Sequence, residues 1–523
     1  MTQIRARDWV RGMRVCVWHG WLLQGSGSNV YTAKLVEAMR AAGHDVVLLC
    51  QERRPERAGF VDAVGEVDGD GVDALEPMPG SSSGQGRVTL LRPRIGRLLP
   101  VFVHDNYEGF DEAKRFVDLT DGELDSYIDA NAAALRAATA WHGSEVVLTG
   151  HAIPGGPIGL RAFGPGAYST KVHGSDLVYA IDLQQRYARL ARAGLEGAHS
   201  VIGLSRDVLE RARAVAPGIA RRLHPIPPGV DSRRWEPRPR QGALLEVSAL
   251  LAGDADTQRG RLATAQQELR EAITARDADA IEAIGTHYDP FVPDPQAAGR
   301  LQRLAGYHGP IVASLGKLIP EKGVETLVEA LALSATDVHG LIVGFGSFRE
   351  WIEAVRLVLA AGDVDGYRWL RSGDRLELGL SDEQVRASAG SARSIDMTGV
   401  LDHRYAPYAI AAADVLVVPS IEKEAFGMVA AEGAAAGALP LVARHSGLAE
   451  VAGALEAEVG REGLFSFASG PQGAARSIAD GIRVLLSIPV EERASLRSAV
   501  SAFVAREWTW DSAARRVLDA SRS

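Results

Sequence analysis

The sequence predicts an α/β protein made of two doubly wound Rossmann-like domains that face each other across a cleft, with a helical insertion between them. Three observations support this fold class. The chain has 523 residues, which is too many for one hydrophobic core. Short β-branched apolar runs alternate with amphipathic helical patterns in both halves, as is typical of parallel sheets. A central stretch lacks any strand pattern.

The first half begins with the strand pattern MRVCVW, followed by the glycine loop and helix GSGSNVYTAKLVEAMRAAG, which ends at Gly43. HDVVLLC predicts the second strand, and SEVVLTG, YSTKVHG and HSVIGLS predict further strands. The pattern stops at the Pro- and Arg-rich stretch LHPIPPGVDSRRWEPRPR. Residues 1–235 are therefore predicted to form the N-terminal Rossmann-like domain.

The remaining chain divides into three parts. From about Leu244 to Gly285 the chain is rich in Ala, Glu, Gln, Arg and Asp and has no strand pattern, so residues 236–305 are predicted to be a helical insertion or linker. Residues 306–490 alternate again, through GPIVASLGK, HGLIVGFG, SIDMTGV, ADVLVVPS and LPLVARH, and predict a C-terminal Rossmann-like domain. Residues 491–523 predict terminal helices that pack back across the domain junction.

Composition excludes several classes of protein. Apolar residues make up 46% of the chain and charged residues 24%, values that are ordinary for a globular protein. The net charge of −9 argues against nucleic-acid binding. No apolar run approaches a membrane span and no signal core precedes the first strand, so we expect a cytoplasmic protein without a stable membrane anchor. The oligomeric state is left open.

The two cysteines and one basic segment also support specific predictions. Cys16 and Cys50 lie in the first two predicted strands, where we expect buried, reduced thiols rather than zinc ligands. The basic and apolar segment 87–102 is compatible with contact to a membrane surface or an anionic substrate. Pro93 and Pro100 interrupt any helix there, which favours a strand and a loop with solvated arginines.

The segment PSIEKEAFGMVAAEG carries two carboxylates, Glu424 and Glu432, and follows the predicted strand VLVVPS. We expect a helix to begin near Phe426 or Gly427, so that Glu424 lies in the preceding loop and Glu432 in the second turn. The first turn of a helix exposes unpaired N–H groups and binds phosphate without a metal. The alternative interpretation is a solvated helix start, where acidic residues are common.

Several segments, in this order, resemble the retaining glycosyltransferases of family 4, which have the GT-B fold. They are GSGSNVYTAKLVEAMRAAGHDVVLL, VVLTGHAIPGG, IPPGVDSRRWEP, LGKLIPEKGVETLVEAL, EAFGMVAAE and SGLAEV. EAFGMVAAE matches the E-x7-E motif of that family. The resemblance covers most of the chain except roughly 236–305 and 355–390. Two positions depart from the family pattern, since Lys317 replaces the usual arginine and Ala425 a frequent proline.

The resemblance implies that residues 1–235 form the acceptor-side domain and residues 306–490 the nucleotide-sugar-binding domain. It also implies how the donor is bound. Lys317 and Lys322 would neutralise the diphosphate, Glu424 would contact the hydroxyl groups of the sugar, and Glu432 would contact the ribose. Gly25 and Gly27 would allow close backbone approach to the ligand. The helix start would supply N–H groups at Phe426, Gly427, Met428 and Val429.

The resemblance also implies which residues take part in the chemistry. His151 would contact the donor sugar or the transition state, and the predicted catalytic residues are His151, Lys322 and Glu424. His173 and Asp176 are possible acceptor-side residues. The alternative interpretation makes His151 a loop histidine bonded to the backbone and Lys322 a solvated lysine near a helix start.

The implied reaction transfers a hexosyl group, with retention, from a UDP-, GDP- or ADP-sugar to a hydroxyl group. The acceptor is a small molecule, a sugar or a lipid-linked compound, and no metal or other cofactor is expected. Two alternatives remain: an enzyme similar to nucleotide-sugar 2-epimerases, and an inactive nucleotide-sugar-binding protein on the same scaffold.

Overall fold

The computed structural model describes residues 12–79, 86–103, 110, 112–334, 338–372, 379–390, 394–468 and 473–522. The chain forms two compact units. Unit 1 comprises Met1–Gly229 and Trp508–Ser523, and unit 2 comprises Val230–Glu507. The prediction that no signal core precedes the first strand concerns residues 1–11, which lie outside the described ranges.

Unit 1 is built on a parallel sheet with helices between its strands, as the alternating pattern predicted. In order, its elements are β1 (Arg14–Trp18), α1 (Gly27–Ala41), β2 (Asp45–Leu49), β3 (Ala63–Val67), β4 (Glu76–Pro77), β5 (Val88–Pro93), β6 (Leu98–Val101), β7 (Glu112–Arg115), α2 (Asp121–His142), β8 (Val146–Gly150), α3 (Gly156–Phe163), β9 (Ser169–Val172), α4 (Gln185–Gly197), β10 (Val201–Gly203), α5 (Arg206–Val215) and β11 (Leu223–Pro225).

The strand order in the main sheet of unit 1 is β11-β10-β9-β8-β1-β2-β5-β3-β4. All described pairings in it are parallel except β3 with β4. The central strands β1, β2 and β8 are buried almost throughout, which is why they read as continuous apolar runs. Segment 87–102 forms no helix, as the prolines indicated, but it contains two strands, β5 and β6, where one strand and a loop were predicted.

Unit 2 contains the second parallel sheet, in the order β14-β13-β12-β15-β16-β17. Its elements are α6 (Arg240–Ala252), α7 (Ala265–Ala275), α8 (Ala278–Ile284), α9 (Ala297–Ala305), β12 (Ile311–Lys317), α10 (Val324–Leu333), β13 (His339–Phe345), α11 (Arg349–Ala361), α12 (Val364–Leu370), α13 (Asp382–Ala387), β14 (Ile395–Met397), α14 (Ala406–Ala411), β15 (Val415–Val418), α15 (Met428–Ala435), β16 (Leu439–Ala443), α16 (Ser446–Val459), β17 (Ser466–Phe467), α17 (Ala474–Ser487) and α18 (Val490–Glu507).

The segment 236–305 contains α6 to α9 and belongs to unit 2. A buried ion pair attaches it to α11, because Arg261 donates two hydrogen bonds of 2.8 Å to Glu350. The last helix, α19 (Trp510–Ala520), belongs to unit 1, whereas α18 belongs to unit 2. Cys16 and Cys50 are buried free thiols, as predicted. Among the described residues, no helix has both the length and the apolar character required to cross a bilayer.

Candidate active site

Strand order brings two distant loops together in unit 2. β12 pairs with β13 on one side and with β15 on the other, so the loop after β12 lies beside the loop after β15. Gly323, with φ +60°, ends the short turn that holds Lys322, and a Cβ atom there would lie 2.6 Å from the carbonyl oxygen of Pro419. Only glycine allows this close approach. The carboxyl edge of the sheet is the usual ligand edge of such folds.

At this edge Lys322 forms an ion pair with Glu424, 102 positions later in the chain. The hydroxyl of Ser420 donates a second hydrogen bond of 2.7 Å to the same carboxylate oxygen. Both charged side chains remain partly exposed, at 32% for Lys322 and 23% for Glu424. The sequence suggested each residue separately and did not predict the pair or the contribution of Ser420. A ligand phosphate at Lys322 would therefore share this lysine with Glu424.

The start of α15 has the form of an anion-binding site. The helix begins at Met428, after Gly427, which has φ +104° and provides no side-chain cap. The N–H groups of Met428 and Val429 belong to the first turn, where they have no partner within the helix. Phe426 is buried and precedes the helix by two residues. Its N–H group therefore lies outside the first turn, to which the sequence analysis had assigned it.

Glu432 lies in the second turn of α15, where the spacing predicted it. Its side chain is half-buried, and it forms no hydrogen bond or ion pair with the residues that the structure describes. Burial raises the pKa of Glu432 to about 8. A carboxyl group of this kind is available to hydroxyl groups of a ligand as an acceptor and, when protonated, as a donor.

The segment SGLAEV fixes the loop around Glu424. The hydroxyl of Ser446 accepts a hydrogen bond of 3.0 Å from the N–H of Glu424, and the N–H of Gly447 donates one of 3.0 Å to the carbonyl of Glu424. A Cβ atom at Gly447 would lie 2.5 Å from the Cα atom of Phe426. The start of α16 thus holds both the carboxylate loop and the residue before α15.

In unit 1 the glycine loop precedes α1. The hydroxyl of Ser26 accepts a hydrogen bond from the N–H of Asn29 and caps the helix. Gly25 has φ +91°, and a Cβ atom at Gly25 or Gly27 would meet no atom within 4 Å. Space is therefore available on this loop, as the prediction of close ligand approach requires.

A buried cluster of imidazole rings lies at the carboxyl edge of the unit 1 sheet, after β1, β8 and β9. The rings of His151 and His173 are 4.5 Å apart between centroids, and His19 lies 6.2 Å from His151. His151 has φ +70°, a strained conformation for a non-glycine residue, which favours a functional role. Neither ring nitrogen of His151 or His173 has a hydrogen-bond partner among the described residues, and burial lowers the pKa of both well below the usual value.

Lys171 joins this cluster and was not singled out from the sequence. Its Nζ atom lies 5.0 Å from the centroid of the Tyr31 ring and has no hydrogen-bond partner among the described residues. Burial lowers the pKa of Lys171 to about 7. Lys171 lies in β9, and His173 follows the last residue of this strand. Because the two residues are two positions apart, their side chains point to the same face of the sheet. The two-residue spacing of Lys171 and His173 was the sequence signal from which the position of Lys171 could have been predicted.

Asp176 is buried and accepts backbone hydrogen bonds. Its carboxylate receives the N–H of Ala152 at 2.5 Å, that of Gly174 at 2.9 Å and that of Leu177 at 3.2 Å. Burial raises the pKa of Asp176 to about 6. This carboxylate therefore holds the loop after His151 in place, a geometry that the sequence did not predict. Within the described ranges no three His, Cys, Asp or Glu side chains form a metal-binding group.

Two family models match this chain. "Glycosyl transferases group 1" matches residues 304–501, and "Glycosyl transferase 4-like domain" matches residues 26–229. Together with the two parallel α/β units, these matches indicate the GT-B fold. The epimerase and inactive-protein alternatives are not favoured.

The curated relatives include a protein named GDP-mannose-dependent alpha-(1-6)-phosphatidylinositol monomannoside mannosyltransferase, from two strains of Mycobacterium tuberculosis. It is 28% identical over 243 residues, which cover 45% of this chain and 53% of the relative. The chain thus spans about half the length of the curated relatives it matches.

Solved structures share the fold over nearly the whole chain. Sucrose-phosphate synthase from Thermosynechococcus elongatus has a TM-score of 0.57 at 19% identity, and the match covers 98% of each chain. HepE from Anabaena, in complex with UDP and glucose, has a TM-score of 0.54 at 13% identity, and the match covers 97% of this chain and 98% of that one. At these identities the likeness shows the fold alone.

Proposed function

We propose that this protein is a retaining, metal-independent glycosyltransferase that moves a hexosyl group from a nucleotide-diphosphate sugar to a hydroxyl acceptor. One observation carries the proposal. The uncapped start of α15 lies between Glu424, which is paired with Lys322, and Glu432, which has no partner in the described part of the chain. An anion site flanked by two hydroxyl-binding carboxyl groups suits the diphosphate, sugar and ribose of one donor.

Departure of the nucleoside diphosphate builds negative charge on its phosphate oxygens, and this charge must be stabilised where it develops. In the proposed mechanism Lys317, Lys322 and the first-turn N–H groups of α15 provide that stabilisation. Glu424 contacts the hydroxyl groups of the sugar while it shares Lys322 with the diphosphate. His151 contacts the donor sugar or its transition state, and Asp176 positions the loop after it.

The donor and acceptor are proposed by class. GDP-mannose and UDP-glucose are the first donors to test, because the curated relative is named for GDP-mannose and HepE was solved with UDP and glucose. A hydroxyl group of a sugar or of a lipid-linked sugar is the proposed acceptor. We place the reaction in the cytoplasm.

A thermal-shift panel of UDP-, GDP- and ADP-sugars tests donor binding, because a ligand that binds only the folded state raises Tm. The donor that shifts Tm is then incubated with candidate acceptors, and NMR of the anomeric proton gives the product configuration. We expect the α-configuration of an α-linked donor to be kept. An inverted product would contradict retention, and epimerisation of the donor without an acceptor would support the epimerase alternative.

A further inference from the structure

An exposed aromatic side chain lies in the segment 236–305, for which sequence analysis assigned no role. Phe291 is 59% exposed, and its ring centroid lies 5.1 Å from that of Phe345, with the two planes 57° apart. A single exposed apolar side chain is common on a protein surface, so the exposure of Phe291 alone indicates no role. Its contact with Phe345 does, because of where Phe345 lies.

Phe345 ends β13 at the ligand edge of the unit 2 sheet. In the parallel register it pairs with Lys317, the last residue of β12. Neighbouring strands lie about 4.8 Å apart, so the two residues are adjacent at the same level of the edge. The N–H of Leu318 also donates a hydrogen bond of 2.6 Å to the carbonyl of Phe345. The Phe291–Phe345 pair is therefore continuous with the proposed diphosphate site.

Backbone contacts fix the chain that carries Phe291. Pro293 forms an antiparallel bridge with Gly399, and the N–H of Asp294 donates a hydrogen bond of 2.8 Å to the carbonyl of Thr398. Thr398 and Gly399 follow β14, which is the next strand at the same edge.

Side-chain contacts fix the same segment. The buried Asp294 carboxylate forms ion pairs with Arg300 at 2.9 Å and with Arg349 at 2.5 Å. The segment is thus held rigidly against the sheet edge, and Phe291 lies two residues before the bridge at Pro293.

We propose that Phe291 and Phe345 form a stacking surface for the nucleobase of the donor. This inference rests on the proposed function, which places the diphosphate at Lys317 and α15. A nucleoside attached to that diphosphate extends along the same edge, and an aromatic face binds the π-face of any base. The segment 236–305 then supplies one part of the donor site, and its partner is a nucleoside diphosphate rather than the acceptor.

Binding of UDP, GDP, ADP and inorganic pyrophosphate to the full chain, measured by isothermal titration calorimetry, tests this inference. Phe291→Ala should weaken nucleoside diphosphate binding at least about fivefold, because stacking on an aromatic ring contributes that much per base. Pyrophosphate affinity should stay unchanged, since it has no base. Phe291→Trp should keep the affinity for nucleoside diphosphates.

The matched control is Leu250→Ala, which removes a 45% exposed apolar side chain from α6 of the same segment and should change neither affinity. Equal affinity of the wild type and Phe291→Ala for nucleoside diphosphates would overturn this inference alone. So would an equal loss of pyrophosphate affinity, or a raised acceptor KM with unchanged nucleotide affinity. Failure of the wild type to bind any nucleoside diphosphate would overturn the proposed function as well.

Discussion

Glu424 and Glu432 differ in their partners, although the sequence presents them as a matched pair. Glu424 is bound to Lys322 and Ser420, whereas Glu432 has no partner among the described residues and has a raised pKa. This difference supports separate roles, with Glu424 close to the reacting sugar and Glu432 at the ribose, which changes little during the reaction.

We therefore predict different kinetics for the two glutamine variants. Glu432→Gln should raise KM with a modest change in kcat, because it removes binding that is equal in the ground and transition states. Glu424→Gln should lower kcat and leave the affinity for free UDP or GDP intact, since Lys322 remains available to the diphosphate. Steady-state kinetics and calorimetry measure both effects, with Glu422→Gln on the same loop as the control. The reverse pattern would mean that the donor lies the other way round.

Lys322→Ala should weaken both nucleoside diphosphate binding and turnover. Charge-assisted hydrogen bonds contribute about 1.5–3 kcal/mol, or roughly 10- to 100-fold in affinity. Lys423→Ala is the matched control, because Lys423 is exposed and lies beside Glu424 in the chain. Unchanged kinetics and affinity in Lys322→Ala would show that the lysine serves only as the ion-pair partner of Glu424.

Lys171 should reduce stability at neutral pH, because it is buried and no described residue forms a hydrogen bond with its Nζ atom. Its pKa falls from the usual 10.5 to about 7, so between these values the unfolded chain binds one more proton. Wild-type stability therefore gains from this group as pH rises from 7 to 10.5. The neighbouring His19, His151 and His173 also have lowered pKa values and are neutral in that range.

Lys171→Met should accordingly raise Tm at pH 7, and the gain should shrink by pH 10. Differential scanning calorimetry of the variant and the wild type at both pH values measures the difference, and other titrating groups cancel in it. Lys34→Met, at a surface ion pair with Glu37, should show a small difference that does not vary in this way. A lower Tm for Lys171→Met at pH 7 would contradict the prediction.

At the scale of elements, the start of α15 depends on Gly427. Its φ of +104° is unfavourable for any other residue, and a Cβ atom would lie 2.5 Å from Cδ2 of Leu448 on α16. This close packing of α16 against the residue before α15 sets the direction of the first-turn N–H groups.

Gly427→Ala should therefore lower stability by about 1–3 kcal/mol and weaken nucleoside diphosphate binding. Gly453→Ala is the matched control, because Gly453 lies within α16 and a Cβ atom there meets nothing within 4 Å. Alanine in a helix interior should raise stability by about 0.5–1 kcal/mol and leave binding unchanged. Urea unfolding and calorimetry distinguish the two variants, and normal binding by Gly427→Ala would exclude the helix start from the donor site.

At the scale of the whole molecule, the proposed donor site obtains its positive charge from the chain itself. Lys317, Lys322 and the start of α15 lie on loops of one sheet edge in unit 2. Unit 2 also holds the segment 236–305 through buried ion pairs that include Arg261–Glu350 and Arg349–Asp294. The proposed donor site therefore depends on the long-range folding of this unit.

Turnover should survive excess EDTA, because in the proposed mechanism the lysines and the backbone N–H groups take the role that a divalent cation has in metal-dependent transferases. The measurement is the initial rate of sugar transfer after EDTA treatment and again after addition of Mg²⁺ or Mn²⁺. Activity that requires either ion would refute metal independence without affecting the assignment to the GT-B class.

The sequence by itself determined the local elements, because their signals are local. Short apolar runs marked β1, β2, β8, β9 and β10 of the first sheet and β12 to β16 of the second, whereas β3, β4, β11 and β17 were not predicted. The positions of Gly427 and Glu432 predicted the start and second turn of α15. These features depend on backbone hydrogen bonding and burial within a few residues, so a single sequence contains them.

Only the tertiary structure decided which side chains meet. The Lys322–Glu424 pair arises because β12 lies beside β15, although two strands intervene in the chain. The burial of Lys171 and the contact between Phe291 and Phe345 likewise depend on how distant segments are placed. Electrostatic and aromatic contacts act over a few ångströms in space, whereas strand order is set by packing of the whole sheet, which no local sequence pattern encodes.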